Sequence, residues 1–227
     1  FLYERGVRFA SIGHPVRERK LSIVNGDNHF EFDIDRCRSL WYRSSYLLDR
    51  RQCGPVLARE RYDNHGEKAI KFDLKNFKGS FRSQGITPDR KATTGVRAAI
   101  IREKGVNGDR EMAYALWLAG FDVRDVHMTD LISGRETLQD LSMIVFVGGF
   151  SNSDVLGSAK GWAGAFRYNE KARIALADFY MREDTLSLGV CNGCQLIADL
   201  GLIVPQHKDM PRLEHNASHK FESDFLG

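Results

Sequence analysis

Leu188-Gly189-Val190-Cys191-Asn192-Gly193-Cys194-Gln195 decides how this chain folds. The apolar run from Thr185 to Val190 predicts a strand, and residues 192–200 predict a helix closed by Gly201. A strand that enters a helix with no loop between them makes a sharp, strained turn, which lifts its central side chain clear of the sheet. Here that side chain is Cys191. Crowding at such a turn favours small residues two positions away, where Gly189 and Gly193 stand. A thiol at a helix start also faces the positive end of the helix dipole, which favours the thiolate. The position suits an acyl-transfer nucleophile. Two other readings stay open. A cysteine at a strand end is ordinarily packing, and Cys191 with Cys194 forms a Cys-x-x-Cys pair that could be a redox couple or half of a zinc site. Zinc would need a second ligand pair, and Cys37 and Cys53 do not have the spacing.

Upstream of the elbow, strands and helices alternate. Val96–Ile101 predicts a buried strand, Phe121–Met128 a second, and Met143–Val147 a third. Between the first two, Asn107 is expected to cap a helix with Asp109 and Glu111 in its first turn. Met112, Ala115, Leu116 and Ala119 follow at helical spacing, and Gly120 ends it. Asn169 is expected to cap another helix, with Ala172, Ala175, Leu176 and Phe179 on one face. This alternation predicts an α/β fold with a mostly parallel sheet covered by helices on both faces. Active sites of such sheets lie at the carboxyl ends of the strands. Val147-Gly148-Gly149-Phe150-Ser151 ends the third strand, and its successive glycines expose backbone N–H groups toward the same edge as Cys191. With the N–H of Asn192 they could form an oxyanion hole.

Residues 1–90 differ. They predict a small α+β segment with a hairpin, Leu21–Val24 and His29–Phe32 about an Asn-Gly-Asp-Asn turn. A helix is expected to follow, with Leu40, Trp41, Leu47 and Leu48 on one face. Residues 76–95, rich in Gly, Ser, Thr, Lys and Pro, read as a linker. Residues 1–90 hold 18 Lys and Arg against 12 Asp and Glu, whereas the remainder is acidic and the chain carries +3. No nucleic-acid module accompanies the basic part, so a solvated face against an acidic neighbour is the expectation. Of the 227 residues 42% are hydrophobic, but no apolar run approaches the roughly 18 residues that span a bilayer. Four cysteines are too few for a disulfide scaffold, and a reducing cytoplasm is expected. The start at Phe1 implies a fragment or a processed product.

The segment Gly189–Gln195 resembles the nucleophile motif of class I (triad) glutamine amidotransferases. More narrowly, it is similar to the large single-chain, ATP-dependent amidotransferases of purine biosynthesis. The likeness continues through Arg102–Ala113, Asp125–Leu131, Gly148–Gly157 and Pro211–Glu222, covering about residues 95–227.

The resemblance implies a flavodoxin-like amidotransferase domain over 96–227, a linker over 76–95, and the tail of a synthetase domain over 1–75. It implies that Cys191 forms a thioester with L-glutamine and releases ammonia. Gly149 and Asn192 would stabilise the oxyanion, and Gln195 and Gly148 would help hold the glutamine. Ammonia would pass to a synthetase domain where ATP, with magnesium, activates formylglycinamide ribonucleotide. Neither nucleic acid nor a membrane nor a metal in this segment is expected. In the family the catalytic His and Glu lie after the cysteine, and the chain reaches Gly227 before such a motif. His65-Gly66-Glu67 has a similar look but stands in the wrong order, and His215 and His219 match another segment. The chain alone is therefore expected to hydrolyse glutamine poorly. Another class I amidotransferase subunit and a thiol–disulfide protein are the alternatives.

Overall fold

The computed structural model describes residues 1–67, 75, 78–205 and 208–222. The chain divides into two units, Phe1–Asp73 with His215–Gly227, and Leu74–Glu214.

In the first unit, β1 (Lys20–Asn25) and β2 (Asn28–Asp33) form an antiparallel hairpin in the expected place. Gly26, at φ 58°, supplies the positive φ of its two-residue turn. Asp33 then caps α1 (Ile34–Gln52), its side chain accepting the N–H of Arg36 at 2.8 Å. Gly54 turns the chain and Pro55 opens α2 (Pro55–Asn64), where its missing N–H is harmless.

The α1 helix lies where the sequence predicts it, but its inner face is a different one. Trp41 and Leu47 stand 75% and 52% exposed, and Leu40 and Leu48 are exposed too. The face turned toward α2 carries Tyr42, Tyr46 and Asp49 instead. Tyr46 stacks on Tyr62 at 4.9 Å, and the ring of His65 packs on Tyr42 and Tyr62. Asp49 is buried and takes ion pairs from Arg61 and Lys220. Ring stacking and a buried ion cluster, rather than aliphatic burial, set the rotation of this helix.

The second unit is built on a parallel sheet in the order β4-β3-β5-β6. Its strands are β3 (Arg97–Arg102), β4 (Asp122–His127), β5 (Met143–Phe146) and β6 (Leu186–Gly189). Successive residues of β3 and β5 go to opposite faces. Ala99, Ile101, Ile144 and Phe146 enter a large core with residues of α4 (Met128–Ser133), α5 (Lys160–Tyr168), α6 (Glu170–Met181) and α7 (Asn192–Leu200). Ala98, Ile100, Val145 and Val147 form a smaller one under α3 (Asp109–Leu118). The α6 helix is as expected: Asn169 accepts the N–H of Ala172 at 3.0 Å, and Ala172, Ala175, Leu176 and Phe179 are buried.

Three details differ from expectation. Gly108, at φ 79°, is the cap of α3, and the preceding Asn107 donates its N–H to the carbonyl of Gly148 at 2.8 Å. Ala115 and Ala119 are exposed, and Met112, Ala113 and Leu116 face the sheet instead. Strand β6 is also more exposed than a buried strand would be. Its register against Met143 and Val145 puts Leu186 and Leu188 on the α3 face, and both stay exposed at the edge of the described sheet.

Of the expected linker, residues 76 and 77 lie outside those described. Its last part is tied to the second unit. The Arg90 guanidinium donates to the carbonyls of Trp117 and Phe121 at 3.1 and 2.7 Å. The Asp122 carboxylate accepts the N–H groups of Thr94 and Gly95, the latter at 2.7 Å. No helix among the described residues is long and apolar enough to cross a membrane.

Candidate active site

The carboxyl ends of β5 and β6 bring the candidate residues together. Val190 continues the ladder by donating to the carbonyl of Phe146 at 2.9 Å. The chain then turns at Cys191, whose φ of 53° and ψ of −108° put it in the positive-φ region that L-residues seldom adopt. Such backbone costs roughly 1–3 kcal/mol and persists where the surroundings over-determine it. Here the surroundings are close. A Cβ on Gly189 would lie 2.6 Å from the Gly193 carbonyl oxygen, and one on Gly193 would lie 2.8 Å from the Cβ of Phe146 and closer still to its carbonyl. Both elbow glycines are therefore required by contact. Helix α7 starts at once, and Gly201, at φ 73°, ends it as the sequence predicts.

The glycine loop after β5 faces this elbow. A Cβ on Gly148 would lie 3.2 Å from the Cβ of Cys191 and 3.9 Å from its Sγ. Gly149 pairs antiparallel with Val106, and its φ of 118° suits only glycine. A side chain there would meet the Asn107 nitrogen at 2.6 Å. The bridge uses the Gly148 carbonyl and the Phe150 N–H, which donates to Gly105 at 3.0 Å, and not the N–H of Gly149. The N–H of Asn192, first in its helix, is among those an α-helix leaves without an intrahelical acceptor. Two backbone donors thus belong to the segments that meet at Cys191.

The Asn192 side chain is buried and fully bonded. Its Oδ1 accepts from the N–H and the Oγ–H of Ser151, at 3.2 and 2.6 Å. Its Nδ2 donates to the carboxylate of Asp154 at 3.1 Å and to Oε1 of Gln195 at 3.1 Å. Gln195 sits one turn along α7 and is half-buried. Ser151 and Asp154 escaped the sequence reading, which weighed the glycine loop for its backbone alone. The available signal was the polar residue directly after the nucleophile, at a position the elbow buries.

Both Cys191 and Cys194 are exposed, and all four cysteines are free thiols. Cys194 is not the packed thiol that a second cysteine inside a helix leads one to expect: it is exposed, on the side of α7 opposite the buried Leu196. In the first unit, both ring nitrogens of His65 are engaged, with Ser39 Oγ at 3.0 Å and with the Tyr62 carbonyl.

The site is thus an exposed thiol on a strained strand-to-helix elbow, facing a glycine loop at the carboxyl edge of a parallel α/β sheet. The family follows from comparison. Residues 95–227 match the CobB/CobQ-like glutamine amidotransferase domain, and the chain belongs to that family. It is 38% identical over 213 residues, 89% of its length, to a probable phosphoribosylformylglycinamidine synthase, chloroplastic/mitochondrial, of Arabidopsis thaliana. It is 39% identical over 204 residues, 87% of its length, to the phosphoribosylformylglycinamidine synthase of Dictyostelium discoideum. In each case it spans 15% of the relative. Among solved structures, one of PurLQS from Thermotoga maritima aligns with a TM-score of 0.40 at 29% identity, covering 48% of this chain and 46% of that one.

Proposed function

We infer that this chain is the glutamine-hydrolysing portion of a glutamine-dependent, ATP-dependent ligase that makes formylglycinamidine ribonucleotide in purine biosynthesis. The observation that carries the reading is the Cys191 elbow, with its positive φ, its helix start and Gly148 packed against its Cβ. The Cys191 sulfur attacks the side-chain amide carbon of L-glutamine, and the amide oxygen becomes an oxyanion. The N–H groups of Gly149 and Asn192 receive that charge. Gln195 and Gly148 hold the glutamine in place. Collapse of the adduct breaks the C–N bond, the protonated nitrogen leaves as ammonia, and a thioester remains. Water then cleaves the thioester to glutamate and the free thiol.

Ammonia is used in the synthetase part of the longer protein, which holds ATP, magnesium and formylglycinamide ribonucleotide. On this reading residues 1–75 are the end of that part, 76–95 the linker and 96–227 the amidotransferase domain. A cytoplasmic setting, or an organelle as the Arabidopsis relative's name states for that protein, goes with it. In the longer protein, Cys191→Ala is expected to abolish glutamine-dependent synthesis while sparing synthesis from added ammonia, which enters after the thioester. Loss of both activities would overturn the reading.

A further inference from the structure

We propose that Ser151 and Asp154 are positioning residues, which act through the Asn192 side chain to fix the backbone N–H groups of Gly149 and Asn192 that receive the oxyanion. This rests on the glutaminase reading above and adds two residues that have no part in the chemistry as written there.

Asn192 is 1% exposed, and so is Ser151. A primary amide offers two donors and an oxygen with two lone pairs. All are used: Ser151 fills the oxygen twice, and Asp154 and Gln195 take the two N–H groups. The arrangement has one sense only. Turning the amide over would set its N–H groups against the Ser151 N–H and its oxygen against the Asp154 carboxylate. Because Asn192 is the residue after Cys191, a fixed side chain fixes the start of α7 and with it the Asn192 N–H.

The other end of the clamp holds the glycine loop. Ser151 lies two residues after Gly149, and Asp154 also accepts the N–H of Ala159 at 3.1 Å, next to the start of α5. Between them the chain is strained. Asn152, Ser153 and Asp154 have φ of 52°, 56° and 49°, three consecutive left-handed residues with no glycine among them. Left-handed backbone is disfavoured for any residue with a side chain. A run of this kind is kept only by bonds that over-determine it. Oxyanion donors act within about 2.7–3.1 Å of the developing charge, so a slack loop loses their effect while leaving the thiol in place.

A positioning role and a merely structural one differ in what they slow. A glutamine-mimicking chloroketone places negative charge on its ketone oxygen as sulfur attacks, then loses chloride. Iodoacetamide is displaced at a saturated carbon and needs no oxyanion donors. The test measures both alkylation rates at Cys191 in the longer protein of which this chain is read as a portion, with the site verified by mass spectrometry. Ser151→Ala and Asp154→Gly are expected to lower the chloroketone rate about tenfold or more, relative to the iodoacetamide rate. Asp154→Gly removes the carboxylate while easing the left-handed backbone, so strain alone cannot explain a loss. Asp154→Asn, which keeps an acceptor oxygen and tolerates positive φ, is expected to restore the ratio to within about threefold. If Cys191 of the unaltered chain takes the chloroketone but the ratio stays unchanged in both loss variants, or both rates fall together, the clamp is overturned and the glutaminase reading survives. If the chloroketone does not select Cys191 in the unaltered chain, the glutaminase reading itself falls, and the clamp with it.

Discussion

Gly193 lies directly against Phe146: a Cβ on the glycine would fall 2.8 Å from the Cβ of the phenylalanine and nearer still to its carbonyl oxygen. Phe146 is the last residue of β5 and is buried, and its carbonyl accepts the N–H of Val190. The first turn of α7 is therefore pressed onto the strand that leads to the glycine loop. Gly193→Ala is expected to force the elbow outward, with a cost of about 1–3 kcal/mol typical of overpacking. The melting temperature should drop, and chloroketone labelling of Cys191 should fall with it. A variant of unchanged stability and labelling would mean that the elbow has room that its geometry denies.

Cys194 supplies a second expectation. It is exposed, three residues beyond Cys191 on the same helix, and no substrate role is assigned to it. In the acyl-transfer reading, Cys194→Ser leaves chloroketone labelling of Cys191 within about threefold, as surface substitutions seldom cost more than about 0.5 kcal/mol. In the thiol–disulfide reading, the two cysteines act as a pair and either replacement is equally damaging. Mass spectrometry on the single variants separates the two. Equal damage would hand the site to redox chemistry.

The strap before β3 predicts a pH effect. The Gly95 N–H, the Thr94 N–H and the Arg90 guanidinium all favour the ionised form of Asp122, and they hold its carboxyl below the ordinary aspartate range. A folded-state value below the unfolded one contributes stability that is present above about pH 3.9 and is lost as pH falls toward the lowered value. Asp122→Asn keeps an acceptor oxygen and removes the charge. The variant should therefore melt below the unaltered chain at neutral pH, and the gap should narrow in acid. A gap that is independent of pH would refute the linkage.

Much of the second unit was legible because local pattern and tertiary demand agree there. Asn169 caps α6 and its predicted apolar face is the buried one, since a helix over a parallel sheet buries a simple apolar stripe. Gly189, Cys191 and Gly193 announced the elbow because only small residues fit the contacts just described. What stayed hidden depends on partners far away in sequence. Ser151 and Asp154 meet Asn192 across 41 and 38 positions, and nothing local marks that meeting. Asn107 looked like a cap, but Gly108 holds that position and Asn107 is tied to the carbonyl of Gly148 in the glycine loop. The rotation of α1 was misjudged because its inner face is made of tyrosines and a charged residue, which an apolar-stripe reading passes over.

That last difference can be tested. If α1 turned Leu40, Trp41, Leu47 and Leu48 inward, Trp41 would be shielded, and its truncation would cost several kcal/mol as for a core aromatic, about 3–5 kcal/mol. In the structure Trp41 is 75% exposed while Tyr46 stacks on Tyr62, with the Arg50 guanidinium 5.8 Å from the Tyr46 ring. Aromatic pairs contribute about 0.5–1.5 kcal/mol beyond the area they bury. Tyr46→Ala should therefore destabilise the first unit clearly more than Trp41→Ala, which should stay within about 0.5 kcal/mol. Iodide provides a second readout that does not depend on stability. Trp162 is buried and Trp117 lies half-covered under Arg90, so Trp41 should be the most accessible of the three tryptophans. Trp41→Phe should remove the readily quenched part of the fluorescence and leave a shielded remainder. If quenching by iodide is unchanged in that variant, Trp41 is covered in the chain and the helix is rotated as its apolar residues first implied.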